Sequence, residues 1–178
     1  GLSISIDNFD NHVGDGTATD YAGEIAVFYN GTLVATSGVI TLMTDSWVNM
    51  DVLVRPDGSI VVWHDNRIRV SGTIPGWTGV AGRRFQWAAR SGLGTYSFQA
   101  VDDVMVETFT GDLHEYDFSS TPAGSSLLGD ASIAGGQLTL TPKLQDKNGS
   151  LVLPDLDAGA KVQSFTANFR MNTWDGTP

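Results

Sequence analysis

The sequence predicts an all-β protein, an antiparallel β-sandwich, and three observations carry that expectation. Apolar residues recur at every second position over short segments, as strands with one buried face require. Glycine, aspartate and asparagine separate those segments, and 21 glycines in 178 residues imply many turns. No window keeps helical spacing for even three turns. At 41% hydrophobic and 17% charged residues, the chain can bury a core and lacks the charge-rich composition of a disordered segment.

The elements follow in order. Leu2-Ser3-Ile4-Ser5-Ile6 begins a strand over 2–8. Strands over 25–29 and 32–36 are joined by Tyr29-Asn30-Gly31-Thr32, a hairpin signal because both central residues tolerate positive φ. Segments 47–55 and 60–64 flank Pro56-Asp57-Gly58, and His64-Asp65-Asn66-Arg67 leads into 68–71, with His64 read as flanking the turn. Further strands are expected over 84–89, 97–108, 114–118, 137–141, 149–153 and 162–171. Arg83-Arg84 reads as a solvated edge that deters strand addition. The softest stretch is 109–128, where Thr110-Gly111-Asp112 and Ser119-Ser120-Thr121-Pro122-Ala123-Gly124 flank one short strand; a seam between two segments is expected there, inside a single domain over 1–178.

Ten Lys and Arg against twenty Asp and Glu give a formal charge of −10, which argues against a nucleic-acid backbone or an anionic membrane surface as partner. Cations and neutral polymers fit better. Without cysteine there is no disulfide framework, thiolate metal site or thiol nucleophile. No apolar run approaches the ~20 residues of a membrane-spanning helix, so membrane insertion is not expected. The chain opens inside an alternating strand and stops just after another, as a piece of a longer exported polypeptide would.

The chemically specific segment is Ser5-Ile6-Asp7-Asn8-Phe9-Asp10-Asn11-His12-Val13-Gly14-Asp15, followed by Asp20 and Glu24. A strand runs straight into a loop dense in carboxylates and amides, the oxygen ligands that a hard cation such as calcium demands. The alternation Asp7, Phe9, Asn11 aims side chains one way and lets an intervening carbonyl converge with them. A solvated Asp/Asn turn is the competing reading. The spacing is not that of an EF-hand loop.

That segment, Leu2 through Asn11 with Asp20 and Glu24 behind it, resembles the metal-binding segment of L-type (legume-type, concanavalin A-like) lectins, in their bacterial lectin-like subgroup. The resemblance implies a concanavalin-like jelly roll. It further implies that Asp7 and Asn11 are side-chain calcium ligands, that Phe9 offers its carbonyl oxygen, and that Asp15 or Asp20 is the next carboxylate. Glu24 falls where the family has His. Ser5 stands where the family's transition-metal site has Glu, so calcium alone, or a degenerate site, is expected. Residues 1–109, with Phe85-Gln86-Trp87 and Val101-Asp102-Asp103, look like the C-terminal half of such a domain; 113–178, with Gly136-Gln137-Leu138 and Ser164-Phe165-Thr166, look like the N-terminal half. This is the order of a circular permutation or of a cut across tandem repeats, and the strand that joins the halves falls outside 1–178. The 178 residues are then expected to be either incomplete or complemented in trans, by a strand from a neighbouring copy of the same domain or a flanking repeat. In sugar-binding members Asn11 and Phe9 would match the amide that binds hydroxyls and the aromatic that stacks on the sugar; packing of Phe9 in the core or loop is the alternative.

An enzyme is not expected. Glycosidases on this kind of sandwich need two carboxylates facing one cleft, whereas Glu24 has no partner two or four residues on, and the neighbours Asp102 and Asp103 should point to opposite faces. His12, His64 and His114 match no zinc or nucleophile motif. Trp47, Trp63, Trp77, Trp87 and Trp174 read as sandwich packing. Asn30-Gly31-Thr32 and Asn148-Gly149-Ser150 match the glycosylation sequon and read equally well as turns. The expectation is a calcium-dependent carbohydrate-binding or adhesion module of an extracellular or cell-surface, bacterial protein. The alternative is a calcium-stabilised structural repeat of an extracellular filament or surface assembly that binds no sugar.

Overall fold

The computed structural model describes residues 1–7, 23–42, 44–82, 84–91, 97–109 and 111–175, and these are all-β, with antiparallel pairing throughout. In chain order the strands are β1 (Leu2–Asp7), β2 (Glu24–Tyr29), β3 (Thr32–Thr36), β4 (Val48–Val54), β5 (Ser59–His64), β6 (Arg67–Thr73), β7 (Val80–Ala81), β8 (Gln86–Arg90), β9 (Ser97–Thr108), β10 (Leu113–Tyr116), β11 (Ser126–Gly129), β12 (Ser132–Ala134), β13 (Gln137–Thr141), β14 (Asn148–Val152), β15 (Lys161–Val162) and β16 (Phe165–Asp175).

The large sheet runs β12-β13-β9-β16-β4-β5-β6, with β10 continuing the β13 edge of β9. Hairpins in the large and small sheets form where turn chemistry allows them. Asn30 and Gly31 sit at φ 51° and 80°, and Asp65 and Asn66 at 53° and 58°, the left-handed pairs that a two-residue hairpin needs. At Pro56-Asp57-Gly58 the Ser59 amide donates to the Asp57 carboxylate at 2.9 Å, which holds that carboxyl below its usual range.

Two three-stranded sheets, β1-β2-β3 and β11-β14-β8, pack on the large one in a sandwich-like arrangement. The first covers the β6 end, where a Cβ on Gly72 would lie 3.2 Å from the Ala35 methyl; the second covers the β13 end. Alternation builds the core: Val48, Met50, Val52 and Val54 on β4 face Ile25, Val27, Leu151 and Leu153 from the smaller sheets. Full burial of each such aliphatic side chain contributes about 1.5–3 kcal/mol. Between β1 and β8 the front layer is interrupted.

The structure corrects several expectations. The segment 162–171 is two strands, because Gln163 and Ser164 break the ladder between β15 and β16. β7, β11 and β12 were not expected, being only two to four residues long. Asn148-Gly149-Ser150 is no turn; it lies on β14, the central strand of its sheet. Trp174 does not pack in the sandwich, since it is 37% exposed with the Lys143 ammonium 3.6 Å from its ring centroid. Trp77 and Trp87 do pack: the Trp77 indole N–H donates to the Gln163 carbonyl at 2.8 Å, and Trp87 meets Phe169 edge-on at 5.8 Å.

His64 ends β5 directly before the Asp65-Asn66 turn, as expected, but its side chain continues the inward series Ile60, Val62 and is 3% exposed, with neither ring nitrogen hydrogen-bonded among the described residues. Burial lowers its pKa, the Arg69 guanidinium lowers it further, and Asp65 opposes both. The unfolded chain therefore binds a proton near pH 6.5 that the native one resists, so this contribution is complete above pH 6.5 and fades as pH falls below it. Thermal melts from pH 8 to pH 5 should show a falling midpoint for the native protein and a flatter profile for His64→Leu. Parallel profiles would show that His64 is not the group responsible.

Candidate functional site

Of the six residues expected to hold calcium, Asp7 and Glu24 lie among the described residues; Phe9, Asn11, Asp15 and Asp20 lie outside them, and so do both residues expected to contact sugar. Six consecutive pairs, from Leu2 with Tyr29 to Asp7 with Glu24, zip β1 onto β2. The last pair sets Asp7 and Glu24 across from each other at the root of the acidic segment. Cross-strand partners point to the same face.

Their surroundings differ. Asp7 is half-buried, whereas Glu24 is 3% exposed and accepts a hydrogen bond from the Thr36 hydroxyl on β3. The sequence explains the placement: Ile25, Ala26 and Val27 are buried, and Glu24 opens the same strand beside Gly23, whose isolated bridge to Ile40 shields it. A Cβ on Gly23 would lie 2.7 Å from the Ile40 carbonyl, so only glycine permits that closeness. Two carboxylates with a hydroxyl alongside are hard oxygen donors and suit calcium better than a softer metal. Among the described residues no group of three or more His, Asp and Glu side chains gathers.

The carboxylates of Asp102 and Asp103 do not diverge as their adjacency predicts. A β-bulge shifts the register of β9 against β16 between Asn168 and Arg170, and Asp103 takes φ 49°. Both side chains then reach the Arg170 guanidinium, at 3.0 and 2.7 Å, while Asp102 also accepts from the Asp103 amide at 2.8 Å. Arg170 lies 5.4 Å from the Trp47 ring centroid. The cluster is partly exposed and stabilises by about 1 kcal/mol at most. Only the φ value and the register shift reveal it, so it escapes a reading by alternation.

Compared with protein-family models and with curated proteins, the sequence matches none. The Asp7–Glu24 pair and the shape of the sandwich carry the functional argument alone.

Proposed function

We propose that the chain is a non-catalytic, calcium-dependent carbohydrate-binding or adhesion module of an exported, cell-surface protein, built as a concanavalin-like jelly roll. The pairing of Asp7 with Glu24 supports it most directly, because it brings the two described acidic residues of the expected ligand set to paired positions on β1 and β2. A divalent cation would be attracted to carboxylates at these positions. Asp7 and Glu24, with Asn11, Asp15, Asp20 and the Phe9 carbonyl, would hold the ion. Phe9 and Asn11 would then meet the sugar. The commitment of Asp102 and Asp103 to Arg170 supports the non-catalytic part of the reading.

Calcium at a hundredfold excess over its dissociation constant stabilises by about 2.7 kcal/mol, which for a chain of this size raises the melting midpoint by roughly 5–10 °C. Excess EDTA should reverse the rise. An unchanged midpoint together with no metal by elemental analysis would sink the calcium reading. On a glycan array, binding should vanish on chelation and in Asn11→Ala. A folded, calcium-loaded protein that binds no glycan would instead favour the structural repeat of an extracellular assembly.

A further inference from the structure

Between the edges of β1 and β8 runs an apolar groove of about 530 Å3, floored by Met50, Val52, Val101, Ala167 and Phe169 of the large sheet. Hydrogen-bond register determines which backbone groups line its walls. The Asn30 amide donates to the Gly1 carbonyl at 2.9 Å, so Gly1, Ser3 and Ser5 direct their backbone groups toward β2, while those of Leu2, Ile4 and Ile6 point into the groove. On the other wall the Leu153 amide donates to the Phe85 carbonyl at 2.9 Å, and the Ser91 amide donates to the Lys147 carbonyl at 2.8 Å. The odd-numbered residues of β8 therefore face β14, and Gln86 and Ala88 face the groove. Among the described residues β1 pairs with β2 alone and β8 with β14 alone, and no backbone hydrogen bond engages these five residues on their groove side.

We propose that this groove, which Arg84 borders at the start of β8, accepts an extended peptide strand of a partner polypeptide, uncharged over the five residues it buries and with apolar residues at alternate positions, which joins the two three-stranded sheets into one. Both walls present amide donors and carbonyl acceptors, so the occupant must offer the same on both its sides. An extended polypeptide does so, and a lipid tail or other apolar molecule leaves the groups unpaired.

The dimensions fit. A cavity of roughly 150 Å3 takes one benzene-sized group, so 530 Å3 takes about three. Three inward side chains at alternate positions make a five-residue strand, and β8 is five residues long. The outward neighbours Ser3, Ser5 and Gln86 are uncharged and polar, which suits Ser or Thr at the two outward positions. A second copy of this chain fits poorly. It also carries a charge of −10, and each of its described strands is already paired in a sheet. The proposal depends on neither calcium nor sugar.

The probe is an acetylated, amidated peptide Lys-Val-Thr-Val-Thr-Val-Lys, titrated into the isotope-labelled 178-residue chain and followed by amide hydrogen exchange. Binding should saturate, and exchange at the amides of Leu2, Ile4, Ile6, Gln86 and Ala88 should slow by roughly tenfold or more. The already paired amides of Ser3, Ser5 and Trp87 should change little. Ala88→Pro removes one groove-facing N–H on an edge strand and spares the β14 ladder; it should weaken the peptide roughly threefold to tenfold. Ala167→Phe, which fills the floor, should abolish binding. If that variant does not fold, Ala88→Pro still decides. Four results would each overturn the proposal: no saturable binding, binding that slows none of the five amides, equal affinity for a peptide of the same composition with its valines contiguous, or self-association of the chain that the probe does not compete.

Discussion

Phe118→Ala is expected to cost about 3–5 kcal/mol of unfolding free energy, the range for deleting a fully buried phenyl ring. For a chain of this length that lowers the melting midpoint by roughly 6–20 °C. Phe118 is 1% exposed and among the largest fully buried side chains, yet it belongs to no strand and sits at φ 51°. Its backbone is held by the turn before it: the Ser119 amide and hydroxyl donate to the Asp117 carboxylate at 2.9 and 2.8 Å, which keeps that carboxyl ionised below its usual range. The ring enters the same core as Val104, Val106 and Leu138. Left-handed backbone is unfavourable for a bulky residue, so the buried ring must outweigh that cost. Phe118→Leu keeps most of the apolar volume and should cost less than half as much. Chemical denaturation of the two variants measures both values; equal, small losses would show that the ring is not a core element.

Phe118 also marks where sequence reading reached its limit. Alternation made β3, β9 and β13 legible with their bounds, because a strand with one buried face repeats every second residue and these have no interruption at their ends. His64 closes β5 as alternation and turn chemistry together require, but a polar ring at the strand's end gives periodicity no apolar residue by which to read its burial. Tyr116 and Phe118 alternate as a strand over 114–118 requires, but β10 ends at Tyr116, and the turn at Asp117 with a left-handed Phe118 carries the ring into the core instead. β11 and β12 carry mainly Ser, Gly and Ala beside one or two aliphatics, and as short flanking strands they bury little. The bulge that brings Asp102 and Asp103 together on Arg170 depends on one left-handed residue, which periodicity does not encode. At the candidate site the donor types were legible from composition. The direct opposition of Asp7 and Glu24 was not, since the long connection between them fixes no register and only the apolar pairing of Ile4 and Ile6 with Val27 and Ile25 does.

Gly149→Ala should be as damaging as loss of the Phe118 ring, although it adds a single methyl. Gly149 lies on β14, paired with Gly129 on one side and Ala89 on the other. A Cβ built there would collide with the Leu140 carbonyl oxygen and lie 2.6 Å from the Ala131 amide nitrogen and 3.0 Å from its Cα. All three are backbone atoms, so no rotamer change relieves the overlap. β14 would have to lift away from β13, and the inward Leu151 two residues on, fully buried, would lift with it. Overpacking a tight core costs typically 1–3 kcal/mol and occasionally more; with only backbone available to move, about 3 kcal/mol or more is expected, or roughly 6–12 °C in melting midpoint. Gly135→Ala supplies the comparison. Gly135 has φ 63° and no atom within 4 Å of its added Cβ, so it carries only the left-handed penalty of about 1–2 kcal/mol. Gly149 has no such φ, and its requirement for glycine is one of space. If Gly149→Ala melts no lower than Gly135→Ala, the two layers are not in backbone contact at β14. The larger loss at Gly149 would fix the depth at which the β11-β14-β8 sheet sits on the large one, and with it the height of the β8 wall beside the groove.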